Sequence, residues 1–178
     1  MKKEIIREIE IPAGINVDVN GKTIKISGKN GIQERKFRGN FLIERKDNKL
    51  IILNKKSTKK EKKEISTTAA HIKNMMKGAE ENYEYRLKIC FAHFPMTVAV
   101  EKNELIIKNF LGEVKLRKAK LIDGVNVKVD KEIIIVTSND KEKAGQTAAN
   151  IEAATKIKNR DRRVFQDGIF IISKPDKD

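Results

Sequence analysis

"VDVNGKTIKISGKNGIQERKF", residues 17–37, lines up without a gap on "VAVEKNELIIKNFLGEVKLRK", residues 98–118. Val17 answers Val98, Val19 answers Val100, Ile24 answers Leu105, Ile26 answers Ile107 and Gly31 answers Gly112, and a proline precedes each unit, Pro12 and Pro95. Further on, "NKLIIL" (48–53) answers "KEIIIV" (131–136), and "TAAHI" (68–72) answers "TAANI" (147–151), in the same order. Chance similarity between alternating strands explains one such block, not three in succession, so the chain reads as two tandem copies of one small domain.

Within a copy the periodicity changes once. Val17 and Val19 alternate with polar residues up to Asn20-Gly21, a two-residue hairpin signal, and Ile24 and Ile26 continue the alternation on the return strand. "FLIER" and "KLIIL" follow as strands. From 65 to 80 the apolar positions Ile65, Ala69, Ile72, Met76 and Ala79 recur every three or four residues, one face of a helix. "YRLKICF" is expected to close the first copy. The second copy is expected to carry a helix over 141–158, with Ala144, Ala148, Ile151 and Ala154 or Thr155 on its buried face, and to close with "GIFII". The fold class is therefore α+β: two tandem copies, 1–88 and 89–178, each an antiparallel sheet with one helix packed on a face. The small alanines on the helix faces suit close packing on the sheet, or alternatively a groove for a partner.

The chain has 178 residues, 39% of them hydrophobic, and a formal net charge of +14. That composition is globular, and the charge favours polyanionic partners. No run reaches the roughly 18 apolar residues of a membrane span. Charges flank the short apolar pairs of "MKKEIIREIEIP", so no secretory signal is expected. Cys90 is alone, which suits a reducing compartment, and inside "LKICFAHF" it reads as a small buried hydrophobe. With only His71 and His93 beside it there is no zinc-type ligand set, and an offset of three along a strand separates Cys90 from His93. Gly21-Lys22-Thr23 resembles the end of a phosphate loop, but Asn16 stands where that loop needs glycine. No catalytic motif is present, and no catalytic residue, metal or cofactor is expected.

The positive charge is uneven: residues 1–88 hold 22 Lys and Arg against 12 Asp and Glu, residues 89–178 hold 17 against 13. "NKKSTKKEKKE" (54–64) carries six lysines, either a solvated linker or a loose phosphate contact. "KNRDRRVFQDGIFIISK" (158–174) differs, because Lys158, Arg160, Arg162 and Arg163 lie between the second helix and the Asp167-Gly168 turn that opens an apolar strand. Arginine forks grip phosphate bidentately, and Phe165 can anchor the loop. A cationic helix C-terminus would explain one or two of these charges, not arginines continuing beyond the helix. Aromatics are only 5% of the chain and tryptophan is absent, so single-strand stacking platforms look poor; a basic surface for folded RNA fits better than sequence-specific DNA.

The duplicated α+β domain, with "RRVFQDGIFIISK" after the second helix, resembles the large-subunit ribosomal protein six family in its archaeal and eukaryotic branch (protein nine in eukaryotes). Arg163, Phe165, Asp167-Gly168, Ile169, Phe170, Ile171 and Lys174 carry the signature, with Ile157 and Arg160 matching. Phe170 stands where the family usually has tyrosine, and Ala153 where it has glutamine. The resemblance implies a non-catalytic constituent of the cytoplasmic ribosome, bound to large-subunit ribosomal RNA and neighbouring ribosomal proteins, not to DNA or membrane. It further implies a place near the sarcin–ricin loop and elongation-factor site, with contact mainly through the C-terminal copy. The expected RNA-binding residues are Lys158, Arg160, Arg162, Arg163, Gln166, Asp167, Gly168 and Lys174. A free RNA-binding module or a protein scaffold remain the alternatives.

Overall fold

The computed structural model describes residues 3–175; the ends of the two expected copies, residues 1–2 and 176–178, lie outside the described residues. The chain divides into two units at Asn82/Tyr83. In the first, β1 (Lys3–Glu10), β5 (Leu42–Lys46) and β6 (Lys49–Ser57) form an antiparallel sheet ordered β1-β6-β5. A second sheet is the meander β2 (Asn16–Asn20), β3 (Thr23–Gly28) and β4 (Gly31–Lys36). Each copy thus splits its strands between two sheets, and α1 (Lys59–Glu80) packs against both.

Registry shows why. Val17 pairs with Ile26 and Val19 with Ile24, so the alternating apolar residues share one face. Val17, Ile24, Ile26, Leu50 and Ile52 meet Ile65, Ile72, Met76 and Ala79 of α1 in one core. Gly21, at φ 60°, takes the first position of the β2–β3 turn, where a positive φ is needed. Gly28 has a packing reason instead: a Cβ there would come within 2.7 Å of the Ala79 carbonyl oxygen. The same approach lets the Asn30 N–H donate to that carbonyl at 3.1 Å, and Asn30 Nδ2 to the Glu80 carbonyl at 2.9 Å. Helix-end carbonyls without intrahelical partners are thereby satisfied.

The lysine run is ordered. β6 extends to Ser57, and Thr58 caps α1 in a capping box with Glu61, so Lys59, Lys60, Lys62 and Lys63 occupy the first turns of the helix. The helix starts six residues before the apolar periodicity shows it, because the cap and not a buried face sets its first turn.

The second unit contains β7 (Tyr83–Cys90), β8 (Thr97–Glu101), β9 (Glu104–Lys108), β10 (Arg117–Lys120), β11 (Asn126–Asp130), β12 (Ile133–Ser138), α2 (Lys141–Ala154) and β13 (Gly168–Ser173). Its sheets are ordered β10-β9-β8 and β11-β12-β7-β13. β7 pairs with β12 and β13, so "YRLKICF" opens the second unit instead of closing the first, and the expected boundary at 88/89 moves to 82/83. Its counterpart is β1, which pairs with β6 as β7 does with β12. β1 hides in a sequence where "EIIREIE" is too charged to read as a strand.

The duplication also needs two corrections of register. Thr23 pairs with Lys36, whereas its counterpart Glu104 pairs with Lys120, three residues more along the chain. The extra residues form a 3₁₀ turn, Phe110–Gly112, entered through Asn109 at φ 59°. Phe37 is therefore matched by Leu121, not Lys118: their N–H groups donate to the equivalent carbonyls of Lys22 and Asn103. Likewise Leu50 and Ile52, both fully buried, correspond to Ile134 and Val136. A match of 48–53 to 131–136 is one residue off and would turn the wrong face inward.

α2 buries Ala144, Thr147, Ala148 and Ile151 against Leu87, Val136 and Ile169, so its alanines serve close packing. Cys90 is half-buried, not buried as its surroundings suggest, because it sits at the end of β7.

Candidate nucleic-acid interface

α2 ends at Ala154 with Thr155 as its C-cap, four residues before the expected end at 158. Lys156, Ile157 and Lys158 thus already belong to the segment that returns to β13. Arg117 of β10 ties down its start: Nη1 donates to the carbonyls of Ala154 at 3.0 Å and Lys156 at 3.3 Å. The same guanidinium grips both carboxylate oxygens of Glu113 at 2.7 and 2.8 Å and lies 4.2 Å over the Phe110 ring. Arg117 holds the Glu113 carboxyl below its ordinary range.

β13, the edge of its sheet, is secured from the helix side. The Ile169 N–H donates to Thr155 Oγ1 at 2.9 Å and the Ile171 N–H to Glu152 Oε1 at 3.2 Å. Both edge donors are occupied, and the strand is closed to further pairing there.

The turn lies earlier than the Asp167-Gly168 dipeptide suggests. The Asp161 carbonyl accepts from the N–H groups of Val164 at 3.1 Å and Phe165 at 2.9 Å. Its side chain accepts from the Arg163 N–H at 2.9 Å, an Asx turn that places Arg162 and Arg163 at the tip. Gly168 is already in β13 with an ordinary φ; a Cβ on it would meet the Phe170 ring at 3.0 Å.

Asp167 is 1% exposed and accepts from the N–H groups of Ala92 at 3.3 Å and His93 at 3.2 Å, and from His93 Nδ1 at 2.9 Å. Burial opposes ionisation, but His93 and the two backbone donors outweigh it and hold the carboxyl below its ordinary value. An ionised carboxylate only accepts, so Nδ1 carries the proton. The His93 ring stacks on Phe165 at 4.9 Å, and the Arg160 guanidinium sits 4.7 Å from the centroid of that same ring.

The expected residues therefore divide. Lys158, Arg160, Arg162, Arg163, Gln166 and Lys174 are exposed, whereas Asp167 and Gly168 are buried and position the segment. Among the described residues Lys158 and Arg162 have no ion-pair or hydrogen-bond partner. Arg163, 90% exposed, is clasped by both carboxylate oxygens of Asp161, which Arg163 holds below its ordinary value. The sequence reading misses Arg117 and His93. The groups they hold in the segment, the Ala154 and Lys156 carbonyls and the Asp167 carboxylate, are remote in the chain, and the nearby Glu113 marks Arg117 only as one more mixed-charge pair.

The lysines of residues 54–64 form a second cationic surface, all six exposed around the N-terminus of α1. Cations at that end oppose the helix dipole. Among the described residues no group of acidic, histidine and cysteine side chains could hold a metal, and no helix is long and apolar enough to cross a membrane.

A family model described as Ribosomal protein L6 matches the chain twice, at residues 11–81 and 94–168. The large ribosomal subunit protein uL6 of Methanobrevibacter smithii is 47% identical over 171 residues, 96% of each chain. That of Methanocella arvoryzae is 47% identical over 176 residues, 98% of this chain and 99% of the relative. For Sulfurisphaera tokodaii the figures are 46% over 172 residues, 96% and 92%. Each half of the family match falls on one unit of the fold, and the chain belongs to the ribosomal protein L6 family.

Proposed function

We propose that this chain is a non-catalytic structural constituent of the large subunit of the cytoplasmic ribosome and binds its ribosomal RNA mainly through the second unit. The names of the relatives support the subunit. The observation that carries the RNA reading is the segment 156–167, an exposed cationic loop fastened at both ends, by Arg117 at its start and by Asp167 at its close. In a chain of net charge +14, such a loop offers guanidinium groups to a phosphate backbone with little ordering left to do on binding. Lys158, Arg160, Arg162, Arg163 and Lys174 make the phosphate contacts, and Gln166 offers a polar one. Its place is beside the sarcin–ricin loop and the elongation-factor site, among neighbouring large-subunit proteins.

The test is binding of the purified chain to a large-subunit RNA fragment carrying the sarcin–ricin region across a salt series, beside Arg160→Ala/Arg162→Ala/Arg163→Ala. Each lost phosphate contact should flatten the log–log slope by about 0.9 on duplex-like RNA. Unchanged affinity and slope would move the contact to the lysine-bearing end of α1. Retention on large subunits in high salt separates a ribosomal constituent from a free RNA-binding module, which washes off.

A further inference from the structure

Of the seven phenylalanines in the chain, Phe37, Phe41 and Phe110 are buried in the two cores. Of the remaining four, Phe91, Phe165 and Phe170 line one groove of about 850 Å³ beside the C-terminal half of α2. Phe91 is 42% and Phe170 37% exposed, so both rings are open to solvent in the groove. The volume lies within the roughly 300–1,000 Å³ of sites that enclose small molecules.

The lining carries two cations and two carboxylates, and they differ in how they are engaged. Lys156 and Arg162 are its cations, both exposed. Its acids, Glu152 and Asp167, are engaged: Glu152 Oε1 accepts from the Ile171 N–H, and Asp167 accepts from Ala92 and His93. Gln166 also lines the groove; its Nε2 donates to the Arg163 carbonyl at 3.3 Å, which leaves its oxygen as an acceptor. The groove therefore combines aromatic side chains, two cations without an ion-pair partner among the described residues, two hydrogen-bonded carboxylates and one amide acceptor.

We propose that this groove holds a single unstacked nucleotide of an RNA strand, its base against the exposed Phe91 and Phe170 rings and its phosphate toward Arg162 and Lys156. This inference rests on the reading of the chain as an RNA-binding protein and adds a second mode of contact to it. A paired base cannot enter such a groove, whereas a base from a loop or bulge can be splayed out and stacked on aromatic rings. An apolar side chain from another protein would use the rings and leave the two cations unmatched. Every base has a π-face, so the contact tolerates sequence while demanding an unpaired nucleotide.

The test uses the full chain and large-subunit RNA transcripts carrying 4-thiouridine or 6-thioguanosine. Irradiation should join RNA to the peptides that contain Phe91, Phe165 or Phe170. Phe91→Ala should weaken binding about tenfold with an unchanged salt slope, because a stack releases no counterion. Arg162→Ala should lower affinity and slope together. Phe91 is half exposed, and an unaltered melting temperature checks that its loss leaves the fold intact. The proposal falls if crosslinks avoid these peptides and Phe91→Ala and Phe170→Leu bind the transcript like the parent. It also falls if those variants keep RNA affinity but lose retention of a neighbouring ribosomal protein, which would make the groove a protein contact. If the parent chain binds none of the transcripts, the RNA reading itself falls, an outcome distinct from both.

Discussion

His93 Nδ1 lies 2.9 Å from Asp167 Oδ1, and the backbone N–H of the same histidine donates to Asp167 Oδ2 at 3.2 Å. One buried carboxylate thus joins the end of β7 to the start of β13, and His93 in turn stacks on Phe165 inside the arginine segment. The position of the exposed guanidinium groups depends on this junction more than on anything in the segment's own sequence.

Asp167→Ala removes the acceptor for two backbone donors and the imidazole. Each of these part-buried hydrogen bonds is worth about 0.5–1.5 kcal/mol net. For a unit of this size the melting temperature should fall by about 4 °C or more. RNA affinity should fall with it while every exposed cation is kept. Unchanged stability would show that the junction does not secure the segment.

Acid should act through the same carboxylate. The folded Asp167 carboxyl lies below its ordinary value of 3.8. Its contribution is therefore complete above that value and is lost as pH falls through the lower folded value. Urea unfolding of the parent and Asp167→Asn should show the parent more stable at neutral pH, with the gap closing below about pH 4. Asp161 and Glu113 are lowered too, so the paired comparison is what isolates Asp167. A gap independent of pH would exclude the carboxylate charge as its source.

Neighbouring arginines should differ. Arg162 has no partner among the described residues, whereas Arg163 is clasped by Asp161. Arg162→Ala should flatten the salt slope by about 0.9, the value of one phosphate contact. Arg163→Ala should flatten it less, since Asp161 already pairs with its guanidinium. Equal changes would mean that Asp161 releases Arg163 on binding.

Thr147 is fully buried on α2, and its Oγ1 has no partner among the described residues. Valine keeps the shape, has a similar helix propensity and removes the orphan hydroxyl. Thr147→Val should raise stability, by about 1 kcal/mol. A lower melting temperature would reveal a partner for the hydroxyl.

Much of the fold was legible in the chain. Alternating Val17, Val19, Ile24 and Ile26 gave one strand face, and Ile65, Ile72, Met76 and Ala79 one helix face, because burial imposes the periods of two and 3.6 residues directly on residue type. β1 escaped because its charges, at Lys3, Glu4, Arg7, Glu8 and Glu10, break the apolar–polar alternation that marks a strand. The start of α1 escaped because capping needs only Thr58 and Glu61, not an apolar stripe. In the interface the cations were legible as composition, while their anchors Arg117 and His93 were not.

The duplication, the α+β class and the place of the arginines follow from local residue type and spacing. Tertiary structure alone decided that β7 belongs to the second unit, that three more residues separate the β9 and β10 pairing partners, and that Asp167 faces inward. It also gathered Phe91, Phe165 and Phe170 around one groove. The reason is physical: strand pairing and side-chain hydrogen bonds join residues about 75 positions apart, as between Ala92 and Asp167, and no local pattern records which distant partner satisfies a given donor.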